Sequence, residues 1–500
     1  MRCGVASMIV AAMALAACSG DAAVRSMGAE PLATQPATTD PGSTDPPSTD
    51  PSSSPPTSDG NGDDLIPDEV GVGDQLYPEL GFPGIDVQHY DIDISYDPST
   101  LMVDGTVTAE IAATSSLDVV LLDSAGPVVD EVTVDGDPVE FATTPTELVV
   151  PLASPIDAGD TIEVSVSYSL EARADDSVSF PPLGWYATEG GSYVLNEPDA
   201  ARTWMPCNDH PSDKATFGFT LTVPAGLTAV ANGALVEHRT EGDHEVWVWE
   251  QDEQQATYLT QLLTGDYEIV EGTSASGVPL LSVALSADAA WLERYHELTI
   301  QQMAFFEQWF GPYPLDRYGL AITDSGGGLA METQGRSLFS RDDLNGQVEF
   351  VQQLLLSHEL AHQWFGDAVT PADWSDIWLN ESFATYGQWM WFEEAGIAPV
   401  QDSADAGLSF RPPGATGSPT PDGLFSFNVY DGGAIVLHAL RRTIGDDAFF
   451  TLLRRWTGDN DGQSRRSDDF IKLAEEVSGT DLGAFFDTWL YAEVPPTTWP

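Results

Sequence analysis

The stretch LLLSHELAHQWFGD, Leu354–Asp367, places two histidines four residues apart, with a glutamate directly after the first. Apolar residues recur at helical spacing through this region, and Gly366 follows them as a typical helix end. We therefore predict a helix on which His358 and His362 share one face. Two imidazoles one helical turn apart can direct nitrogen lone pairs at one cation, so the pattern indicates part of a metal site.

An ordinary amphipathic helix that carries two histidines is the alternative, and the chain contains a natural control. The segment YHELTI begins in the same way at His296 and Glu297, but Ile300 stands where a second histidine would be. We interpret that segment as a surface helix without a metal role.

A zinc site needs a third protein ligand and one open position for water. The segment DWSDIWLNESFATYGQWMWFEE predicts a second helix, and eighteen residues separate its Glu381 from His362. A short reversal between the two helices would bring this carboxylate beside the histidines. We predict one Zn²⁺ per chain, held by His358, His362 and Glu381, because iron sites usually have a different ligand spacing.

Glu359 adjoins the first predicted ligand and points off the metal axis. It can take a proton from a zinc-activated water and pass it to a leaving amine, which is general acid–base catalysis. The sequence thus indicates a metal-dependent hydrolase with Glu359 as its base.

In these residues the chain resembles the zinc aminopeptidases related to aminopeptidase N, whose signature is His-Glu-x-x-His followed, after eighteen residues, by Glu. The resemblance extends from about residue 77 to the C-terminus. Three further segments resemble family motifs in the same order: ARTWMPCNDHPSDKATFGFTLTVP, GGLAMETQG and VYDGGAIVLHALRRTIG. The large C-terminal helical domain of many relatives has no counterpart here, so we expect a short form.

The resemblance implies roles for four further residues. Glu332 and Glu197 match two glutamates that bind the free α-amino group of the substrate. Tyr430 matches the tyrosine that stabilises the tetrahedral oxyanion together with zinc. Gln388 stands where relatives often carry an acid, and we expect it to support a ligand from behind the metal.

The departures from the family pattern concern the substrate side of the site. Leu329 and Thr333 flank the glutamate motif where relatives have Gly and Asn, and Leu195 stands where many have Gln. Gly432 replaces a lysine that is frequent near the tyrosine. Substrate contacts are therefore expected to differ from those of relatives, whereas the predicted zinc ligands and the base are intact.

Patterning along the chain predicts an α+β fold of two domains. Between 76 and 268, short runs alternate apolar and polar residues and are broken by Gly, Pro and Asp, which predicts an N-terminal antiparallel β-sheet domain. From 269 to 500 helical periods dominate. This second part carries every predicted metal ligand, and by resemblance it is a mainly helical, thermolysin-like zinc peptidase domain.

The N-terminus predicts export. Residues 1–17 combine one arginine with an uncharged run of about thirteen residues, typical of a signal peptide and too short to span a bilayer comfortably. LAAC at 15–18 resembles a bacterial lipobox, which makes Cys18 the predicted lipidation site; a plain secretory peptide is the alternative. Residues 18–75 then form a disordered tether rich in Pro, Ser, Thr and Asp. We expect an exported protein that is lipid-anchored to the outer face of a bacterial membrane, or periplasmic if the envelope is double.

The net charge limits the classes of partner that the protein can bind, and the cysteine content limits its disulfides. The formal net charge is −61 and the only lysines are Lys214 and Lys472, which excludes nucleic acid and anionic lipid surfaces because these ligands require clustered cations. Contact with a membrane would therefore occur through a lipid anchor only. With residues 1–17 removed and Cys18 lipidated, Cys207 has no cysteine partner within the chain. The oligomeric state is not indicated.

Three functions follow from these patterns. The first is a zinc aminopeptidase that trims peptides with a free N-terminus outside the cytoplasm, by attack of a metal-activated water. The second is a zinc peptidase with endopeptidase or relaxed end specificity, consistent with Leu195 and Leu329. The third is a non-catalytic, peptide-binding surface lipoprotein, which would predict the loss of Glu359 or of a ligand.

Overall fold

A computed structural model of the protein describes residues 70–174, 183–324, 330–344 and 349–500. The signal peptide, Cys18 and the tether up to residue 69 lie outside these ranges, as does Leu329, so the expectations for them stay predictions. The domain boundaries drawn at 75 and 268 also stay predictions. In the ranges that the structure describes, no helix is long and apolar enough to cross a membrane.

An eight-stranded sheet forms the largest element of the N-terminal half. Its spatial order is β14-β15-β12-β1-β2-β8-β4-β5. The strands are β1 (Ile85–Asp97), β2 (Met102–Ala113), β4 (Val128–Val134), β5 (Asp137–Pro138), β8 (Thr161–Glu171), β12 (Lys214–Pro224), β14 (Ala234–Glu241) and β15 (His244–Ala256). Buried and exposed residues alternate along β1 and β2, as the period-two pattern predicted. Within this sheet one pairing departs from the antiparallel expectation, because β1 and β12 run parallel.

Two smaller sheets complete this half. One has the order β13-β16-β11-β10-β9 and the other β3-β7-β6. Their strands are β3 (Leu117–Asp123), β6 (Ala142–Thr143), β7 (Glu147–Ile156), β9 (Arg173–Ala174), β10 (Gly184–Ala187), β11 (Gly191–Leu195), β13 (Thr228–Ala231) and β16 (Leu262–Gly265). The inward faces of the three sheets contribute most of one hydrophobic core.

Helices dominate the C-terminal half, as predicted. They are α1 (Leu292–Phe310), α2 (Arg341–Leu344), α3 (Glu349–His362), α4 (Trp378–Glu394), α5 (Val400–Phe410), α6 (Asp431–Ile444), α7 (Asp446–Asp459), α8 (Ser467–Ser478) and α9 (Gly483–Trp489). A five-stranded sheet of order β17-β18-β19-β21-β20 flanks them. The remaining strands are β17 (Tyr267–Thr273), β18 (Pro279–Leu285), β19 (Leu320–Thr323), β20 (Ala330–Met331), β21 (Ser337–Ser340), β22 (Val369–Pro371) and β23 (Gln463–Arg465). A second core, rich in aromatic residues, lies between the helices, and the α+β expectation is confirmed.

Two buried cations join the halves. The Arg336 guanidinium donates to the carbonyls of Ala231 and Leu281. Lys214 Nζ donates to the carbonyls of Asp367 at 2.7 Å and Ala368 at 3.3 Å, directly after the helix of the histidine motif. Burial lowers the pKa of Lys214 to about 8. Main-chain carbonyls can satisfy such donors without an acid partner, so these side chains act as connections between the halves.

Asp74 makes a third connection from the segment that precedes β1. Its carboxylate accepts the backbone N–H of Trp374 at 2.6 Å and lies 3.2 Å from His210 Nε2. Asp74 also accepts the N–H groups of Leu76 and Tyr77. This buried carboxylate therefore binds both halves of the molecule.

The interpretation of YHELTI as a surface helix was wrong on one point. The segment lies on α1, but His296 is buried and its Nε2 makes a short hydrogen bond of 2.5 Å with Ser282 Oγ. Burial lowers the pKa of His296. The histidine faces the adjacent strand β18, a contact that the local pattern does not encode.

Candidate metal centre

The histidine motif occupies the last turn of α3, and the chain reverses immediately after it. His358 and His362 lie one turn apart, and α3 ends at His362. Gly366, with φ +135°, donates to Val369 O and turns the chain. A Cβ on Gly366 would approach both Asn380 and His362 Nδ1 to 3.3 Å, so glycine allows the close approach of the two helices here.

The predicted third ligand lies in the first turn of α4. The Asp373 carboxylate accepts the N–H of Ser375 and caps the single turn Trp374–Asp376 that leads into this helix. Glu381 then faces the histidines: its Oε2 lies 3.2 Å from His358 Nε2 and 3.4 Å from His362 Nε2. The structure thus brings the three predicted ligands together.

The donor set fits zinc in chemistry and in spacing. Ligands about 2.1 Å from a tetrahedral zinc lie about 3.4 Å from one another. The two distances to Glu381 Oε2 match this spacing, and the three residues are all buried. Burial alone would raise the pKa of Glu381, but the two imidazoles lower this pKa to about 2. The side chain is therefore a charged carboxylate that can bind a cation. His358, His362 and Glu381 could therefore hold a zinc ion with one position left open.

Comparisons with known proteins agree with this centre. Residues 295–489 match the Peptidase family M1 domain, and residues 86–259 match the Peptidase M1 N-terminal domain. An M1 zinc metallopeptidase from Deinococcus radiodurans has a similar structure, with a TM-score of 0.77 and 32% identity over 86% of this chain and 100% of that chain. The chain belongs to peptidase family M1. It is a zinc metallopeptidase with one catalytic Zn²⁺, as the sequence predicted.

Two further relatives of this M1 peptidase are much longer proteins. Aminopeptidase N of Lactococcus lactis is 32% identical over 58% of this chain and 37% of its own length. Aminopeptidase N of Streptomyces lividans is 28% identical over 74% of this chain and 46% of its own length. The chain therefore spans less than half the length of these curated relatives. A Deinococcus radiodurans M1 structure described as bound to a Tyr-Ser-Ala substrate matches with a TM-score of 0.78 and 31% identity over 85% of this chain and 99% of that one.

The two predicted histidine ligands differ in the hydrogen-bond partner of their Nδ1 atom. His362 Nδ1 lies 3.1 Å from the carbonyl oxygen of Phe365, so an N–H there fixes the tautomer and leaves Nε2 for the metal. His358 Nδ1 has no hydrogen-bond partner among the described residues. Burial lowers the pKa of His358. Gln388 lies near this histidine and raises its pKa by a smaller amount. The supporting role of Gln388 stays a prediction.

Three further glutamates surround the ligands. Glu359 and Glu332 are buried and converge with His362, in a group whose facing atoms lie within 4.8 Å of one another. Burial raises the pKa of Glu359 well above its usual value, and the Glu332 carboxylate adds to this effect. Burial also raises the pKa of Glu197, again reinforced by Glu332. Such mutually raised pKa values are typical of sites that bind a cation or move a proton.

Tyr430 contacts two of the predicted ligands and stands immediately before α6. Its hydroxyl donates to Glu381 Oε1 at 2.7 Å, and its ring stacks on His358 at a centroid distance of 5.9 Å. The predicted oxyanion donor is therefore adjacent to the candidate metal centre, and its hydroxyl donates to the predicted ligand Glu381.

The departures noted in the sequence lie close to these residues. Leu195 ends β11 and is buried two positions before Glu197. Thr333, next to Glu332, is buried and accepts a hydrogen bond from Gln261 Nε2 at 2.7 Å. Gly432 lies in the first turn of α6, where a Cβ would come within 3.2 Å of Asn428 Oδ1. Thr333 thus has a structural partner within the protein.

Sequence reasoning missed several supports of the site. The Phe365 carbonyl that orients His362 has no side-chain signature, although its place just after the helix end is a signal. Tyr258 of the β domain donates to Gly366 O and accepts from Asn380, beside the second helix of the site. Ser382, directly after ligand Glu381, binds the carbonyl of Val429. These contacts join residues that lie far apart in the chain.

Proposed function

We propose that this M1 peptidase is an aminopeptidase that removes N-terminal residues from short peptides. One observation carries the proposal: Glu197 and Glu332 each present a buried carboxylate oxygen without a hydrogen-bond partner among the described residues, beside the metal ligands. A buried carboxylate without a partner is costly, and a substrate ammonium group would satisfy both. An internal peptide bond offers no such cation, so the pair selects for a free N-terminus.

Each side chain has a defined part in the reaction. His358, His362 and Glu381 would hold a zinc ion, which when bound would supply Lewis acidity and lower the pKa of an attacking water to about 7. Glu359 takes the proton of that water on its carboxylate and later delivers it to the departing amine. The Tyr430 hydroxyl turns its hydrogen bond from Glu381 to the developing oxyanion. Glu332 and Glu197 hold the substrate ammonium and so fix the scissile bond in place.

The names of the relatives support the proposal. The two curated relatives are described as aminopeptidase N, and the Deinococcus structure is described as bound to the tripeptide Tyr-Ser-Ala. We extend short-peptide cleavage to this chain by that likeness together with the two glutamates.

The deciding experiment compares one short peptide with its N-acetylated twin, using purified protein with and without a zinc chelator. Cleavage of the free form alone, abolished by the chelator, is the expected result. Equal cleavage of both forms would replace the proposal with an endopeptidase of relaxed end specificity. Absence of cleavage by the zinc-loaded protein would instead support a peptide-binding protein.

Two substitutions separate metal binding from proton transfer. Glu359→Gln keeps the shape of the side chain but cannot accept a proton, so zinc content should stay while kcat falls by at least about 10²-fold. His362→Ala should lose both zinc and turnover. A near-normal rate in zinc-loaded Glu359→Gln protein would show that another group acts as the base.

A third substitution tests the amine site. Glu332→Ala should reduce the preference for free over acetylated peptide by roughly 10- to 10²-fold, because a charge-assisted bond to the substrate is lost. An unchanged preference would remove Glu332 from the amine site. Glu237, exposed on β14, provides the control substitution Glu237→Ala.

We also propose that the enzyme acts outside the cytoplasm, lipid-anchored through Cys18. The support is the sequence of residues 1–18 and the polar tether that follows. Mass spectrometry of the mature N-terminus is the test: a diacyl-modified Cys18 is expected, and an unmodified N-terminus would overturn the anchor.

A further inference from the structure

Tyr430 is connected to the metal-binding helix at two points. Its hydroxyl donates to Glu381 Oε1 at 2.7 Å, and the carbonyl of the preceding residue, Val429, accepts a 2.6 Å hydrogen bond from Ser382 Oγ. Glu381 and Ser382 are consecutive on α4, as Val429 and Tyr430 are consecutive before α6. Ser382 and Val429 are both fully buried. Two consecutive residues of α4 thus bind the two consecutive residues that precede α6.

The first turn of α6 lies directly on Ser382. A Cβ added to Gly433 would lie 1.6 Å from Ser382 Oγ and 2.5 Å from Ser382 Cβ. No larger side chain than hydrogen fits at 433 without movement. This packing leaves the serine hydroxyl little freedom, and the bond to Val429 O is therefore held in one geometry.

A second hydroxyl binds the chain one residue earlier. Thr416 Oγ1, fully buried, donates to Asn428 O at 2.8 Å. Arg411 Nη2 in turn donates to Thr416 Oγ1 at 3.0 Å and to Trp489 O at 2.9 Å, which ties the segment to α9. The carbonyls of both residues that precede Tyr430 are thus held by buried hydroxyl groups.

We propose that Ser382 is a positioning residue for Tyr430. It fixes the main chain at Val429 so that the tyrosine hydroxyl stands at the metal ligand, where the oxyanion would form. The inference rests on the role given to Tyr430 under the proposed function. The Ser382 hydroxyl donates to Val429 O, the carbonyl next to Tyr430, so its effect on turnover passes through the tyrosine.

A double-mutant cycle isolates this effect. Ser382→Ala should lower kcat about 10-fold or more, because displacements of the order of 1 Å reduce rates on that scale. In a Tyr430→Phe background, the hydroxyl that Ser382 positions is absent, so the same substitution should lower kcat less than about 2-fold. Zinc content should be the same in all four proteins, and KM should change less than kcat.

A matched control comes from the histidine helix. Ser357 is equally buried and also adjoins a predicted metal ligand, but among the described residues its Oγ donates only to Leu354 O of its own helix. Ser357→Ala should therefore keep the wild-type kcat. The unfolding midpoint of each variant shows whether a fall in kcat merely follows lost stability.

The outcomes separate this inference from the proposed function. An equal fall for Ser382→Ala in both backgrounds would overturn the positioning role, as would wild-type kcat in the single variant. Wild-type kcat for Tyr430→Phe would instead remove Tyr430 from the proposed mechanism, and the inference with it. A non-additive cycle with intact zinc supports the inference even if the enzyme prefers acetylated peptides.

Discussion

Replacing Lys214 by methionine should change how the stability of the protein depends on pH. The lysine is buried between the two halves, and its ammonium donates to the carbonyls of Asp367 and Ala368. Each carbonyl also accepts a second donor, from Thr370 Oγ1 and Gly462 N respectively. Lys214→Met keeps the unbranched stem of the side chain and removes the terminal amine with its charge, so the variant reports on the ammonium itself.

The magnitude follows from the displacement of the pKa. Burial lowers the pKa of Lys214 from 10.5 to about 8 in the folded protein. This displacement corresponds to roughly 3 kcal/mol of stability that depends on pH. The unfolded chain holds the Lys214 proton more tightly than the folded protein does. The free energy of unfolding is therefore higher by this full amount above pH 10.5, and the gain is lost as the pH falls through 8. Between these values the wild-type protein should gain roughly 3 kcal/mol relative to Lys214→Met.

Urea unfolding of both proteins at several pH values between 7 and 10.5, with fixed zinc, measures the difference. Lys472→Met removes an exposed amine on α8 and should follow the wild type throughout. A difference between wild type and Lys214→Met that stays constant within about 0.5 kcal/mol would refute the buried-ammonium reasoning.

Three further predictions concern the junctions of the fold and the metal. Gly433→Ala should cost about 1 to 3 kcal/mol in urea unfolding, because its Cβ would overlap Ser382 Oγ; an unchanged midpoint would contradict the packing described. Asp74→Ala leaves Trp374 N and His210 without their acceptor and should cost about 1 to 3 kcal/mol, whereas a change below about 0.5 kcal/mol would deny the connection. Chelation of zinc should lower the Tm, since ligand binding to the folded state adds about 2.7 kcal/mol at a hundredfold excess over Kd; an identical Tm for the metal-free protein would argue against the buried centre.

The convergence of His358, His362 and Glu381 could be predicted because their positions follow helical periodicity. Histidines four residues apart share a helix face wherever that helix lies, and Glu381 required only one reversal to reach them. Alternating burial along β1 is equally local, since side chains of a strand point to opposite faces. These features depend on short-range geometry that the sequence specifies directly.

The contacts that could not be predicted join distant segments. Strands β1 and β12 pair in parallel across more than a hundred residues, and no local pattern specifies that register. His296 faces Ser282, and Lys214 reaches two carbonyls, through tertiary packing alone. Hydrogen bonds to main-chain carbonyls are the hardest to foresee, because every residue offers the same acceptor.

The burial of Lys214 also decides how the protein reacts with amine-specific reagents. The chain has only two lysines, and Lys214 directs its amine at two carbonyls inside the protein. Lys472 is exposed on α8, in the helical half. An active ester should therefore modify one side-chain amine in the folded enzyme. A dye or a solid support coupled in this way would be attached to one known side chain, with the N-terminal α-amine as its competitor, and the molecules coupled through Lys472 would share one orientation.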